Sequence, residues 1–194
     1  MKAFLAILFL AGSLLGTLQA QPIEVSDVDG ERVTLNRKGG VTAVIYSNAA
    51  VQKETRATAK FFDPFHGHPA FRGIVVVDLR KSVAGWVKGM TLSIIRSDLE
   101  KEALRVKPFY MKNGNLGDPR ADLSVIADFK GEACPALGWP NELKQVEVIV
   151  YGPDGKEAGR WQKDKDVEVI RAVVKKLLEG LPPEKKEKDA KVAE

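Results

Sequence analysis

Val41–Thr55 reads VTAVIYSNAAVQKET. Val41 to Tyr46 is β-rich and mostly apolar without clean alternation, the pattern of a strand covered on both faces. Ser47-Asn48-Ala49-Ala50 then turns the chain into a helical stretch, Gln52 to Phe62, which Pro64 stops. A buried strand feeding a helix through a short turn is the core unit of an α/β fold, and the turn is where its chemistry normally sits. Here that turn holds no cysteine, no histidine and no acid until Glu54.

Working outward, Ile23 to Leu35 has two alternating runs about Asp29-Gly30, which predicts a small N-terminal β-hairpin. On the other side, Asp63 to Phe71 is a loop, and Gly73 to Leu79 (GIVVVDL) is a second buried strand that turns abruptly polar at Asp78-Leu79-Arg80-Lys81. Val83 to Val106 carries apolar residues at helical spacing, with its first part weakened by Gly85 and Gly89, so the helix is expected from Met90. Lys107 to Asp122 reads as a long loop with Pro108, Gly114, Gly117 and Pro119. Leu123 to Ala127 is a third strand, and a short helix follows within Asp128 to Gly138. Val146 to Tyr151 and Glu157 to Trp161 form a hairpin about Pro153-Asp154-Gly155. Asp166 to Leu178 is an amphipathic helix with Gly180 as its expected C-cap. The order predicts a central mixed β-sheet flanked by helices.

The first twenty residues read as a secretory signal peptide. Lys2 supplies a positive start, Phe4 to Leu10 is apolar, and cleavage is expected after Ala20. The domain is then expected over residues 21–180, with 181–194 as a charged, disordered tail after Pro182-Pro183. The chain has 30 basic and 26 acidic side chains, a net +4, too mild and dispersed for nucleic acid. The single cysteine, Cys134, permits no internal disulfide. After signal cleavage nothing calls for a membrane, so the expected location is periplasmic or secreted.

Three stretches carry a family resemblance: Val28 to Leu35 (VDGERVTL), Ser124 to Ala133 (SVIADFKGEA) and Val146 to Trp161 (VEVIVYGPDGKEAGRW). Together they resemble the thioredoxin-like superfamily in its exported, peroxiredoxin-like form. The resemblance implies an α/β thioredoxin-like fold. It also locates the family's Cys-x-x-Cys at about Val51 and Glu54, where no thiolate can form. The family's cis-proline position falls near Val146, which is not proline. Both departures imply a redox-inactive member. Gln52 to Thr58, Met90 to Leu99 and the proline-free Val146 to Val150 are similar to the YtfJ family of periplasmic thioredoxin-like proteins.

The candidate sites follow from this reading. Ser47, Asn48, Val51, Lys53 and Glu54, at a helix start, are candidates for binding a small ligand or a protein partner. Cys134 is a candidate thiol for a one-cysteine peroxidase, but its small apolar neighbours fit a buried structural cysteine better. His66 and His68, beside Asp63, are weak metal candidates. Asp118, Asp122 and Asp128 fit no calcium-loop spacing. No cofactor motif is read. The expectation is an exported binding module without thiol–disulfide chemistry, with a single-cysteine oxidoreductase or a metal-binding protein as alternatives.

Overall fold

The structure, a computed structural model, describes residues 21–81, 87–139, 144–162 and 166–182. The expected signal peptide and all but the start of the charged tail lie outside the described residues. A small antiparallel hairpin, β1 (Glu24–Ser26) with β2 (Arg32–Thr34), comes first. Its turn is held by Asp27, whose Oδ1 accepts from Asp29 N and Glu31 N, while Gly30 takes a φ of 86° that disfavours any side chain.

The main sheet contains β3 (Val41–Asn48), β4 (Phe71–Asp78), β5 (Leu123–Asp128), β6 (Glu147–Tyr151) and β7 (Glu157–Gln162), in the order β5-β4-β3-β6-β7. The β3–β4 and β4–β5 pairs are parallel, and the β3–β6 and β6–β7 pairs are antiparallel. The helices are α1 (Gln52–Ala59), α2 (Lys88–Lys112), α3 (Ala133–Ala136) and α4 (Val167–Glu179). β3 lies at the centre, and seven of its eight residues are buried, which is why its sequence shows no alternation.

The strand register assigns the two faces. Ile45, Val75 and Val125 are in register across three strands and share one face, as do Ser47 and Val77. Tyr46, Val76 and Ile126 are likewise in register and point the other way. The main core runs through β3, β4, β6 and α4, where each fully buried Val, Ile or Leu is worth about 1.5–3 kcal/mol. A smaller cluster joins Val28 and Leu123 to Leu99, Ala103, Val106 and Tyr110 of α2.

Three local expectations are corrected. α1 ends at Ala59, and Lys60–Phe65 continues as a 3-10 turn that holds Pro64. The loop expected from Lys107 is helix as far as Lys112, with Pro108 inside it. Proline removes one helix bond there, at a site where Leu104 is 72% exposed, while buried Val106 and Tyr110 anchor the last turns. The helix also starts at Lys88, before Met90, and Met90 and Ile94 are 59% and 56% exposed instead of buried. Gly180 is the C-cap of α4 as expected, in a right-handed conformation, φ −79°.

Candidate functional site

A cavity of about 610 Å³ lies between the sheet face of β3–β5 and the two helices α1 and α2. Ile45, Val75, Val77 and Val125 form its floor, Ala59 and Phe62 one wall, and Ile94, Ile95 and Leu99 the other. The parallel register places the floor residues side by side, and the long α2 stands over them. Val75 and Val77 are only half-buried, as residues beneath an open cavity must be. The volume falls in the range of small-molecule sites, and the lining has their character: mostly apolar with a few polar groups.

The uncharged polar groups are Ser47, Asn48, Gln52, Thr55, His66, Thr91 and Ser124. Ser47 Oγ and Thr55 Oγ1 form a close hydroxyl pair, and Thr55 Oγ1 also donates to Val51 O at 2.8 Å. Asn48 has extended backbone (φ −144°, ψ −179°), and its Oδ1 accepts from Ala50 N at 2.9 Å and Val51 N at 3.2 Å. Asparagine at this position is an N-cap, so the N–H groups an anion would use are already satisfied. His66 is 7% exposed, and burial lowers its pKa, so the imidazole is neutral near pH 7.

Most of the charged groups around the cavity are paired; exposed Lys60 also lines it, with no ion pair among the described residues. Arg56 meets Asp98 at 3.1 Å, and Asp98 also takes Lys101 at 3.1 Å. Arg105 makes a two-bond pair with Asp63, at 2.6 and 2.7 Å, and reaches Glu102 at 2.6 Å. That second network ties the 3-10 turn after α1 to α2.

The sequence-expected residues are therefore divided. Ser47 and Asn48 line the cavity, together with His66 from the loop that follows α1. Val51 does not: its side chain is 7% exposed and packs in the main core, because the 3-10 turn swings it inward. Lys53 and Glu54 are exposed and lie outside the cavity. His66 and His68 do not converge. The ring of His66 stacks near Tyr110 and meets Phe71 edge-on, while His68 Nδ1 accepts from Ala70 N at 3.2 Å. Among the described residues no three His, Cys, Asp or Glu side chains are placed to hold a metal ion. The α2 wall escaped the sequence reading, although the apolar residues at helical spacing from Met90 were its signal.

Cys134 sits on the opposite side of the sheet. It is 0% exposed, in α3, with its Sγ against Tyr46 Oη and 3.4 Å from Arg80 Nη2. Tyr46 stacks on Trp139 with centroids 4.2 Å apart, and donates to Asp78 Oδ2 at 3.1 Å. Arg80 clamps Asp78 with Nε and Nη2 at 3.0 and 2.8 Å. Burial alone would raise the Asp78 pKa, but these bonds override it and hold the carboxyl below its ordinary value. Burial pushes the Cys134 thiol up, and the Tyr46 bond and the Arg80 charge only partly oppose that. A nucleophilic thiol needs the reverse shift and access from solvent. Asp128 seats α3 by accepting from Gly131, Glu132 and Ala133 N at 2.6, 3.0 and 3.0 Å. Asp118 and Asp122 are also engaged, with Arg120 N and with Tyr110 Oη.

No protein-family model matches the chain, and no curated protein sequence matches it. Solved structures do. The exposed lipoprotein thioredoxin of Streptococcus pneumoniae is 15% identical over 81% of this chain and 100% of its own, with a TM-score of 0.50. A secreted thiol-disulfide isomerase of Corynebacterium glutamicum is 14% identical over 82% of this chain and 84% of its own, with a TM-score of 0.52. The chain has the thioredoxin-like fold, with one buried cysteine and no disulfide pair. Among the described residues no helix is long and apolar enough to cross a membrane.

Proposed function

We propose that this protein is an exported, redox-inactive binding module on a thioredoxin-like fold, and that its cavity takes a small, uncharged, apolar ligand. The cavity between α1 and α2 carries the reading: its floor and walls are apolar, and Arg56, Asp98, Lys101, Glu102 and Arg105 at its rim are held in ion pairs. An uncharged ligand leaves those pairs intact, and His66 and the Ser47–Thr55 hydroxyls supply neutral polar contacts. Export rests on the signal-like residues 1–20. The finer kinship is with the YtfJ family, on the segments quoted above. A single-cysteine peroxidase is the weaker reading, because Cys134 is enclosed on the far side of the sheet with a raised pKa. A metal-binding protein is weaker too, because His66 and His68 make separate contacts.

Titration with N-phenyl-1-naphthylamine, an uncharged fluorescent probe, tests the proposal. At about −0.4 to −0.5 kcal/mol per heavy atom, a ligand of this size binds in the low micromolar range. Saturable one-to-one binding is expected, weakened at least tenfold by Val75→Phe, which fills the floor. Absence of saturation, or unchanged binding by the variant, would refute it.

A further inference from the structure

The other end of the sheet, where β3 and β4 begin, holds two arginines that form no ion pair among the described residues. Thr42 and Arg72 are register partners on these strands, and Ser124 on β5 pairs with Ile74, two residues on from Arg72. Arg37 arrives from the loop after β2. Its guanidinium lies against Gly40, where a side-chain carbon would sit 2.8 Å from both Nε and Nη2. No positive φ requires glycine at this position; the close approach of Arg37, and of Ala70 O at 2.8 Å, does.

The polar bookkeeping at this end does not close. The Nε atoms of Arg37 and Arg72 and the Oγ1 of Thr42 are all buried with no hydrogen-bond partner. Arg72 Nη2 donates to Ser124 Oγ at 2.8 Å, a neutral acceptor. Asp122 acts on Arg37 only at a distance, and its Oδ2 accepts from Tyr110 Oη at 2.8 Å. Burial and then the neighbouring charge of Arg72 lower the Arg37 pKa. The other half-buried arginines are matched: Arg80 to Asp78, Arg105 to Asp63 and Glu102, Arg120 to Asp29 and Glu100, Arg171 to Glu168. Buried unpaired charge is costly, and orphaned buried donors are rare enough to require a cause. An oxyanion answers all three at once, because it accepts from guanidinium and hydroxyl together. Both guanidiniums belong to half-buried side chains, so solvent reaches the neighbourhood.

We propose that Arg37, Arg72 and Thr42 bind a small oxyanion, phosphate or carboxylate, at the end of the sheet opposite the β3–α1 turn. This site shares only Ser124 with the apolar cavity, and it stands whether or not that cavity binds a ligand.

Thermal denaturation of the full chain tests it, in an amine buffer whose ionic strength is held constant with sodium chloride. Inorganic phosphate and acetate are titrated separately. One of them is expected to raise Tm saturably, and Arg37→Gln and Arg72→Gln are each expected to weaken that affinity at least tenfold. Arg32→Gln, exposed on the hairpin, keeps it. A response to phosphate alone assigns a phosphorylated ligand, and a response to acetate alone a carboxylate. In anion-free buffer both glutamine variants are expected to be as stable as the parent or more so, because a like-charge pair has gone. Should either fail to fold, Arg37→Lys and Arg72→Lys, which keep charge but lose the planar fork, are read in the same way. No saturable shift with either anion, or an equal shift in the variants, overturns the proposal.

Discussion

Replacing Asp128 by Ala tests how Cys134 is kept out of chemistry. The Asp128 carboxylate is 6% exposed and accepts three backbone N–H bonds, at 2.6, 3.0 and 3.0 Å, from the residues that open α3. Hydrogen bonds to a charged group are worth about 1.5–3 kcal/mol each. Three at the lower end make about 4–5 kcal/mol. Any opening of α3 that exposes the Cys134 thiol must break them, and must also uncover Leu137 and Trp139. At ~1.4 kcal/mol per factor of ten, the Asp128 bonds alone hold the reactive population down about a thousandfold. The expected result is slow labelling of the native protein by a thiol reagent, accelerated between a hundredfold and a thousandfold in Asp128→Ala. Asp128→Asn, which keeps one acceptor oxygen, falls between.

Urea separates the routes. A shallow dependence of the labelling rate marks local opening of α3, and a steep one marks global unfolding. The thiol contributes a pH dependence of known sign. Its folded pKa is raised by burial, so its contribution to stability is complete below the unfolded value of about 8.5 and is lost as pH rises through the folded value. Labelling in the parent as fast as in a free peptide thiol would sink the account, as would an unchanged rate in Asp128→Ala. Either result would favour the single-cysteine oxidoreductase over the binding module.

Three further outcomes are expected. Tyr46→Phe removes the hydroxyl that bonds Asp78 and Cys134 while keeping the stack on Trp139, and chemical denaturation should show a loss of about 1–2 kcal/mol with cavity binding unchanged. His66→Phe should flatten the acid side of the stability profile. The lowered His66 pKa means its contribution is present above the unfolded value of about 6.5 and lost as pH falls toward the folded value, so thermal melts of the parent from pH 7 to 5 should slope more than those of the variant. Arg105→Met unties the turn after α1 from α2; with its side chain 30% exposed, the loss should be about 1–2 kcal/mol in low salt, smaller in high salt, and accompanied by weaker probe binding.

Much of the fold was legible because it rests on local signals. The unalternating Val41–Tyr46 run, the Asp29-Gly30 and Asp154-Gly155 turns and the amphipathic Asp166–Leu178 stretch each report their own surroundings. Pro108 misled because a proline ends a helix only when the bond it removes cannot be replaced by water and the following residues have nothing to pack against. Tyr110 supplies that packing two residues later. The site was half legible. Ser47 and Asn48 could be named because they end the central strand, but the wall opposite comes from α2, some fifty residues away, and only the parallel register brings it over the same face. Val51 was misplaced because a one-residue change in the turn decides whether a side chain faces water or core. The Arg37–Arg72 pair left no trace in local pattern, since its members lie 35 positions apart and meet only through the register of Thr42 with Arg72.

The two sides of the sheet show how this fold is completed without a cysteine pair. On the α1 side, the turn that carries the thiols in thiol–disulfide proteins of this fold is closed by Asn48 and the Ser47–Thr55 pair, groups that satisfy the backbone without offering a nucleophile. That closure costs nothing in the cavity, because Asn48 bonds along the turn and the floor remains aliphatic. On the α3 side, the one cysteine sulfur is surrounded by Tyr46, Arg80 and Asp128, yet it is sealed and its proton is held. Arg80 could activate a thiol only if its charge outweighed burial, and its guanidinium is already committed to Asp78 through two bonds. Positive charge near sulfur is therefore not sufficient for reactivity; the charge must be uncompensated and the sulfur wet. This chain meets neither condition at Cys134.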